Sequence, residues 1–389
     1  MLCRYQAGGA KIRRMIHIGI NGRSMFRQLT GVQHYAREVT RELCALDAPD
    51  VNFTVFSGRE GRGGSEPGLP LKTSFIPAGG PIKGLMWEQT LLKRMVKKSG
   101  VDVLFNPANV APLYPPVSSV VTIHDLAFLL FPEYFSRSFG AYYRAMIPRI
   151  ASQASMVITD SESTRSDLES RLGVPGSKIA VIPLGVSPDF RRHINKSELE
   201  EVRKRHNLPR KFFLSISSLE PRKNLKGLVD AYSLLPEDTL AEQGLVLVGA
   251  GNRVYADPGL SGSLSRLDRG SVMTPGYMPS EDLPAVYRLS TALVFPSLYE
   301  GFGLPVLEAM AASTPVITSN RSSLPEVAGH AAVLIDPESR EELAAAMELV
   351  ANDSGTRNLL IERGKKRAAL FSWKKTAQQT LEVLRAAAY

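Results

Sequence analysis

Cysteine is nearly missing from this chain: Cys3 and Cys44 are the only two in 389 residues. Two thiols cannot build a disulfide framework or a four-cysteine zinc site, and their scarcity fits a reducing compartment. Long apolar runs are missing too. No stretch approaches the ~18 residues needed to span a bilayer, and the residues before Met15 lack the continuous apolar core of a signal peptide. The cytoplasm is the expected location. There is no zinc-finger spacing and no readable helix-turn-helix, and the basic residues are scattered rather than interleaved with aromatics, so nucleic acid is not an expected partner. Yet the formal net charge is +9. Nucleotide phosphates or an anionic membrane surface suit that excess better.

What is present is globular. With 44% hydrophobic residues over 389 positions, the chain can bury two α/β cores. Residues 1–14 are expected to be a disordered extension, and Met15 to Arg23 reads as a first parallel strand breaking at Asn21-Gly22. Gly31 then opens a helix carrying Tyr35, Val39 and Leu43 at helical spacing. Val51 to Phe56 reads as a strand, and Ser57 to Pro70, dense in glycine, as a flexible loop. A helix from Leu85 to Lys98 sets Leu85, Leu91, Leu92, Met95 and Val96 against Lys93, Arg94, Lys97 and Lys98. Its basic face beside Trp87 is either a solvated surface or a rest for an anionic bilayer.

Further strand signals run through VDVLFN, Ser119 to Ile123, Ala154 to Thr159 and Ile179 to Pro183. The Ser119 strand ends at His124-Asp125, where the His is either a satisfied core residue or a cleft residue that meets a sugar hydroxyl. Ser161-Glu162-Ser163-Thr164 carries capping residues for the next helix. The pattern breaks near Pro183 to Pro188, so one domain is expected over 15–187 and a second over 188–371, with a terminal helix at 372–389. In the second domain the strand Phe212 to Ser217 leads to Arg222-Lys223. Adjacent Arg and Lys at such a loop form a diphosphate clamp, the Arg forking onto two oxygens and the Lys adding a point charge.

The most informative stretch is Thr291 to Pro315, TALVFPSLYEGFGLPVLEAMAASTP. Ala292 to Phe295 suits one buried parallel strand, the loop to Gly303 carries Glu300 and two glycines, and Pro305 begins a helix with Val306, Leu307, Met310 and Ala311 on one side. A helix N-terminus at a sheet's carboxyl edge binds phosphorylated ligands. Glu308 lies in that helix, with seven residues between it and Glu300. It either caps or solvates the helix or, with Glu300, accepts from the paired hydroxyls of a sugar.

At these residues the chain resembles the family 4 retaining glycosyltransferases, whose signature is Glu-x7-Glu and whose fold is GT-B: two Rossmann-like parallel-sheet domains facing across a cleft, with a C-terminal helix crossing back to the first. The resemblance covers nearly everything after Met15 and is loosest before Ser119. It implies that Glu300 lies by the donor sugar and that Glu308 binds the ribose hydroxyls. Arg222 and Lys223 would hold the donor phosphates, and Gly301, Phe302, Gly303 and Leu304 would bring helix amides to the donor. His124, in TIHDLAFLLFPEYF, would face the sugar. Gly31 would let its loop pass the diphosphate, although it also reads as turn punctuation. Gly249, in GAGN, would lie near the nucleotide, and the main chain of Leu283, in GYMPSEDLPAVY, would contact the base. The expected catalytic set is His124, Glu300, Arg222 and Lys223.

The implied reaction is transfer of a hexose from a nucleotide sugar, with the departing diphosphate stabilised by donors already in place. No Asp-x-Asp occurs, so neither a metal nor any other cofactor is expected. A retaining hydrolase would need two carboxyls ~5 to 5.5 Å apart, whereas eight helical positions separate side chains by ~12 Å. Glu300 is therefore expected to orient the sugar while the leaving phosphate takes the acceptor proton. WEQ, TIHDL and LEPRKNL look most like bacterial mannosyl- or rhamnosyltransferases of surface polysaccharides. GDP-mannose is the first expectation for the donor and a glycan or lipid-linked glycan for the acceptor, with peripheral contact on the inner face of the membrane. A UDP-hexose donor, a sugar-nucleotide epimerase, a phosphorylase and a non-catalytic nucleotide-sugar sensor remain alternatives.

Overall fold

The computed structural model describes residues 15–26, 31–58, 71–74, 80–249, 259–265, 267 and 271–389. The expected extension at 1–14, the glycine-rich loop over 59–70 and the Ala250-Gly251-Asn252 part of GAGN lie outside these.

Among the described residues, thirteen strands form two sheets, parallel throughout. The first contains β1 (Ile16–Asn21), β2 (Val51–Gly58), β3 (Leu71–Ser74), β4 (Val103–Asn106), β5 (Ser118–Thr122), β6 (Met156–Thr159) and β7 (Ile179–Val181), in the order β3-β2-β1-β4-β5-β6-β7. The second contains β8 (Phe212–Ile216), β9 (Gly244–Val248), β10 (Val272–Gly276), β11 (Ala292–Phe295), β12 (Val316–Ser319) and β13 (Val333–Ile335), in the order β10-β9-β8-β11-β12-β13. Both are doubly wound. Their strand order reverses beside β1 and β4 in one sheet and beside β8 and β11 in the other, and there the loops diverge and leave a crevice.

Apolar side chains explain why these segments lie inside. All four residues of β11 and all four of β4 are buried, as strands covered on both faces by helices must be. The core is continuous across the two halves through Ile182, Leu184, Val186 and Phe190, which join the first sheet's cluster to Phe212 and Leu214 of the second.

Helix Trp373–Ala387 crosses back and packs on helix Gly31–Ala45 and on β4, β5 and β6. Ser372 caps it by accepting from the amide of Lys375, and Arg385 donates to Asp50 at 2.5 Å. The two crossings are tied together: Arg191 donates to the carbonyls of Ala368 (2.6 Å) and Phe371 (3.1 Å).

Three local expectations change. Ser57 and Gly58 belong to β2 rather than to the loop. The edge strand β3, LKTS, was not expected because it carries no apolar alternation. The helix expected over Leu85 to Lys98 starts earlier, at Gly80, and contains a π-helical segment at Glu88–Leu92. The wider turn shifts the phase of the residues around it. Leu91, expected in the core, is 36% exposed, whereas Trp87, expected beside the basic surface, is 2% exposed and packs with Phe56 and Leu104.

Candidate active site at the facing sheet edges

Glu300 lies in the loop after β11, and Arg222 and Lys223 lie in the loop after the neighbouring strand β8, so the reversal in strand order places all three at one crevice. Lys223 Nζ donates to Glu300 Oε1 at 2.6 Å, and Arg222 Nη1 donates to Glu300 Oε2 at 3.2 Å and to the Tyr299 carbonyl at 3.1 Å. Arg222 Nε also donates to Glu220 at 2.7 Å, a partner the sequence reading did not single out. The basic pair is not solvated; both side chains are 12% exposed.

Burial pushes the Glu300 carboxyl up, but Lys223 and Arg222 outweigh it and hold the group below its ordinary value. Burial and the neighbouring guanidinium in turn lower the Lys223 ammonium. The loop's backbone is fixed as well. The Glu300 amide donates to Ser322 Oγ at 2.9 Å, and Ser323 Oγ donates to the carbonyls of Glu300 (2.9 Å) and Phe302 (2.8 Å).

Gly303 precedes helix Leu304–Ala311 at φ 107°, a left-handed conformation that favours glycine. Glu308 sits inside that helix and neither caps it nor points freely to water. It is half-buried and accepts from Tyr287 Oη at 2.8 Å. Burial raises its carboxyl to about 7, and the tyrosine hydrogen bond opposes the rise. Tyr287 lies in the stretch read as framing the base, but nothing in the sequence connects it to a residue twenty-one positions on.

Leu283 is the first residue of helix Leu283–Leu289. Gly249 follows β9 at φ 86°, its amide donating to the Gly276 carbonyl at 2.7 Å. Gly31 begins its helix with no atom of the described residues within 4 Å of where a Cβ would stand.

On the opposite edge, His124 follows β5 and is buried. Its Nδ1 lies 2.7 Å from Asp160 Oδ2 and its Nε2 lies 3.4 Å from the Pro107 carbonyl, while the Tyr35 ring meets it edge-on at 4.7 Å between centroids. Asp160 was missed. The available signal was an acidic residue at the end of the next strand, the same signal that picked out His124. Along the same edge, Asn21 donates to Glu88 (3.1 Å) and Asn106 (3.2 Å), and Arg23 donates to Glu88 at 2.6 Å. This buried network joins the ends of β1 and β4 to the π-helical segment.

The two edges touch. A Cβ at Gly301 would stand 2.0 Å from the His124 carbonyl oxygen, so only glycine permits this approach. Thr164 Oγ1 lies 3.2 Å from the His124 carbonyl and 3.4 Å from that of Gly301. Tyr299 Oη donates to Asp167 at 2.8 Å and accepts from the Leu126 amide at 3.3 Å.

Two doubly wound domains, a returning C-terminal helix and a cation-braced carboxylate at the cleft define a GT-B glycosyltransferase. Residues 29–190 match the family model for Glycosyltransferase Family 4, and residues 197–367 match that for Glycosyl transferases group 1. The O-antigen chain mannosyltransferase B of Escherichia coli is 34% identical over 264 residues, covering 68% of this chain and 69% of that protein. The serotype-specific mannosyltransferase WbdA of Escherichia coli is 30% identical over 271 residues; the match covers 69% of this chain but 33% of WbdA. The solved sucrose-phosphate synthase from Thermosynechococcus elongatus superposes with a TM-score of 0.76 at 20% identity, covering 95% of this chain and 98% of that one, a likeness of fold. The chain belongs to glycosyltransferase family 4, in the group 1 glycosyl transferases, and is an enzyme that transfers a sugar to an acceptor.

Proposed function

We propose that this glycosyltransferase transfers a mannosyl group from GDP-mannose to a sugar hydroxyl of a glycan or lipid-linked glycan, with retention at the anomeric carbon and without a metal ion. The observation that carries the reading is the cluster of Lys223 and Arg222 around Glu300 at the crevice of the second sheet, facing His124 on the first. Similarity to O-antigen chain mannosyltransferase B supports the sugar and the class of acceptor.

In this reading the donor diphosphate takes up Arg222, Lys223 and the amides at the start of helix Leu304–Ala311. These donors stabilise the charge that grows as the glycosidic bond breaks. Glu300, held ionised between two cations, accepts from the sugar hydroxyls and orients the ring. The departing phosphate takes the proton from the acceptor hydroxyl as that oxygen attacks the same face. Glu308 accepts from the ribose hydroxyls once its carboxyl is ionised. The enzyme works in the cytoplasm, resting on the inner face of the membrane through the exposed basic residues Arg94, Lys97 and Lys98. Among the described residues no helix is long and apolar enough to cross a membrane.

The test is thermal stability against a panel of nucleotide sugars and free nucleotides, with and without EDTA. A ligand at ~100 times its Kd stabilises by ~2.7 kcal/mol, a measurable shift. The expected result is a GDP-selective shift that EDTA leaves intact. A UDP-selective shift overturns the donor, an EDTA-sensitive one overturns metal independence, and a flat response overturns the site.

A further inference from the structure

We propose that Glu326 is a positioning residue for glycosyl transfer: a carboxylate of the second domain that caps a helix of the first and thereby sets the Glu300 loop against His124. Helix Glu162–Leu172 begins just after β6, and the first amides of any helix have no partner within it. Ser161 Oγ accepts from the Thr164 amide at 3.1 Å, which leaves Glu162 and Ser163. Their amides donate to the two carboxylate oxygens of Glu326, at 2.9 Å to Oε2 and 3.1 Å to Oε1. A negative charge at a helix N-terminus is also favoured by the helix dipole. Glu326 belongs to helix Leu324–Ala328, which follows β12 in the other domain.

The segment that carries Glu326 also holds the donor-sugar loop. Ser322 and Ser323, four and three residues before Glu326, make the hydrogen bonds that fix the backbone of Glu300 and Phe302. Ser322 adopts φ 50°, a left-handed conformation that costs a non-glycine residue energy and persists where the surroundings impose it. Behind the latch, Arg367 Nε donates to the Val327 carbonyl at 2.9 Å and its guanidinium lies 5.0 Å from the Phe371 ring centroid. Phe371 meets Phe302 edge-on at 6.1 Å. The helix at 162, Glu326, the serine pair and Glu300 thus form one chain of contacts, and Gly301 rests on the His124 carbonyl at its end. Without Glu326, the loop keeps its serines but loses a charged tie to the opposite edge.

The proposal rests on Glu300 serving the donor sugar, so its test reads domain closure as well as turnover. Glu326→Ala and Glu162→Pro are compared with the full-length wild type by turnover with GDP-mannose, calorimetric binding of GDP-mannose, melting temperature and small-angle scattering. Proline at the first helical position removes one of the two donors while suiting the helix start, so Glu162→Pro probes the contact with Glu326 in place. Glu326→Ala is expected to lower kcat roughly tenfold or more, as for the loss of a charge-assisted hydrogen-bond pair. GDP-mannose affinity changes by less than about threefold, and the radius of gyration rises. Glu162→Pro moves kcat and scattering in the same direction by less. Wild-type turnover and scattering in both variants overturn the proposal, as does a loss of turnover tracked only by a lower melting temperature. If GDP-mannose fails to bind the wild type, the donor assignment falls. The unliganded scattering then decides: a more open Glu326→Ala protein upholds the latch and identical curves overturn it.

Discussion

His124 Nδ1 and Asp160 Oδ2 lie 2.7 Å apart at the ends of the adjacent strands β5 and β6. The second ring nitrogen faces the Pro107 carbonyl, so both nitrogens are directed at acceptors, the arrangement that suits an imidazolium. Burial pushes the ring's pKa down, but the Asp160 carboxylate overcomes this and raises it, with a smaller contribution from Asp125. The Tyr35 ring edge closes the remaining side. With both ring nitrogens engaged inside the protein, the geometry favours a positioning role for His124 over that of a general base.

Asp160→Asn tests this. The folded pKa of His124 lies above 6.5, so the stabilisation from the pair is complete below about pH 6.5 and is lost as pH rises through the folded value. With the carboxylate gone, the strongest influence raising the ring's pKa is lost and burial pulls it down. The alkaline limb of kcat/KM is expected to move to lower pH and the pH dependence of the melting temperature above pH 6 to flatten. An unchanged profile assigns the pair no part in turnover.

Glu308 titrates where the enzyme works. With its carboxyl raised from 4.5 to about 7, the folded protein binds a proton that the unfolded chain releases, so the group's stabilisation is full below pH 4.5 and is lost as pH rises through about 7. If Glu308 accepts from the donor's ribose hydroxyls as proposed, its ionised form is the stronger acceptor, and donor affinity is expected to rise between pH 6 and 8. Calorimetric titration with the donor across that range checks it. Glu308→Gln should flatten the curve and weaken donor binding by more than about tenfold, since hydrogen bonds to a charged group contribute ~1.5 to 3 kcal/mol. Tyr287→Phe removes the hydrogen bond that lowers the pKa and should move the midpoint upward.

The parts legible in the sequence are those whose signals are local. Ala292 to Phe295, the two glycines, and Pro305 with its spaced apolar residues specify strand, loop and helix within twenty-five positions, and the structure has that order. Arg222-Lys223 was legible for the same reason. Partners brought together by the sheets were not: Asp160 meets His124 because β5 pairs with β6, and Glu326 meets Glu162 because two domains close. Trp87 shows a different limit. Its exposure depended on helix phase, which a π turn at Glu88 alters, and no propensity in WEQTLL marks that turn.

If these cations act on charge that develops in the transition state, as proposed, Arg222→Ala and Lys223→Ala lower kcat at saturating donor. Each also leaves a buried carboxylate with one cation fewer, and breaking such a pair costs ~3 to 5 kcal/mol when both members are well buried. The Arg222 variant should melt lower than the Lys223 variant, since it also deprives the Tyr299 carbonyl and one carboxylate oxygen of Glu220 of a donor. Full turnover at saturation in either variant, measured below its melting point, removes that residue from the catalytic set.

The surface of the helix around the π segment leads to a membrane prediction. Met86 is 62% exposed and Leu91 36%, and Arg94, Lys97 and Lys98 are exposed beyond them. With Trp87 inside, the exposed large apolar side chains among the described residues of this helix are Met86 and Leu91, so charge is expected to supply most of the attraction to a bilayer. Each basic side chain near an anionic surface contributes ~1 kcal/mol, and salt screens it over ~10 Å at ~0.1 M. The protein is expected to sediment with phosphatidylglycerol-rich vesicles at low salt and to be released at high salt. Lys97→Glu with Lys98→Glu should abolish sedimentation while leaving transfer to a soluble acceptor intact. Salt-resistant sedimentation would mean that apolar insertion, not charge, holds the enzyme, and wild-type sedimentation of the double variant would move the contact to another face.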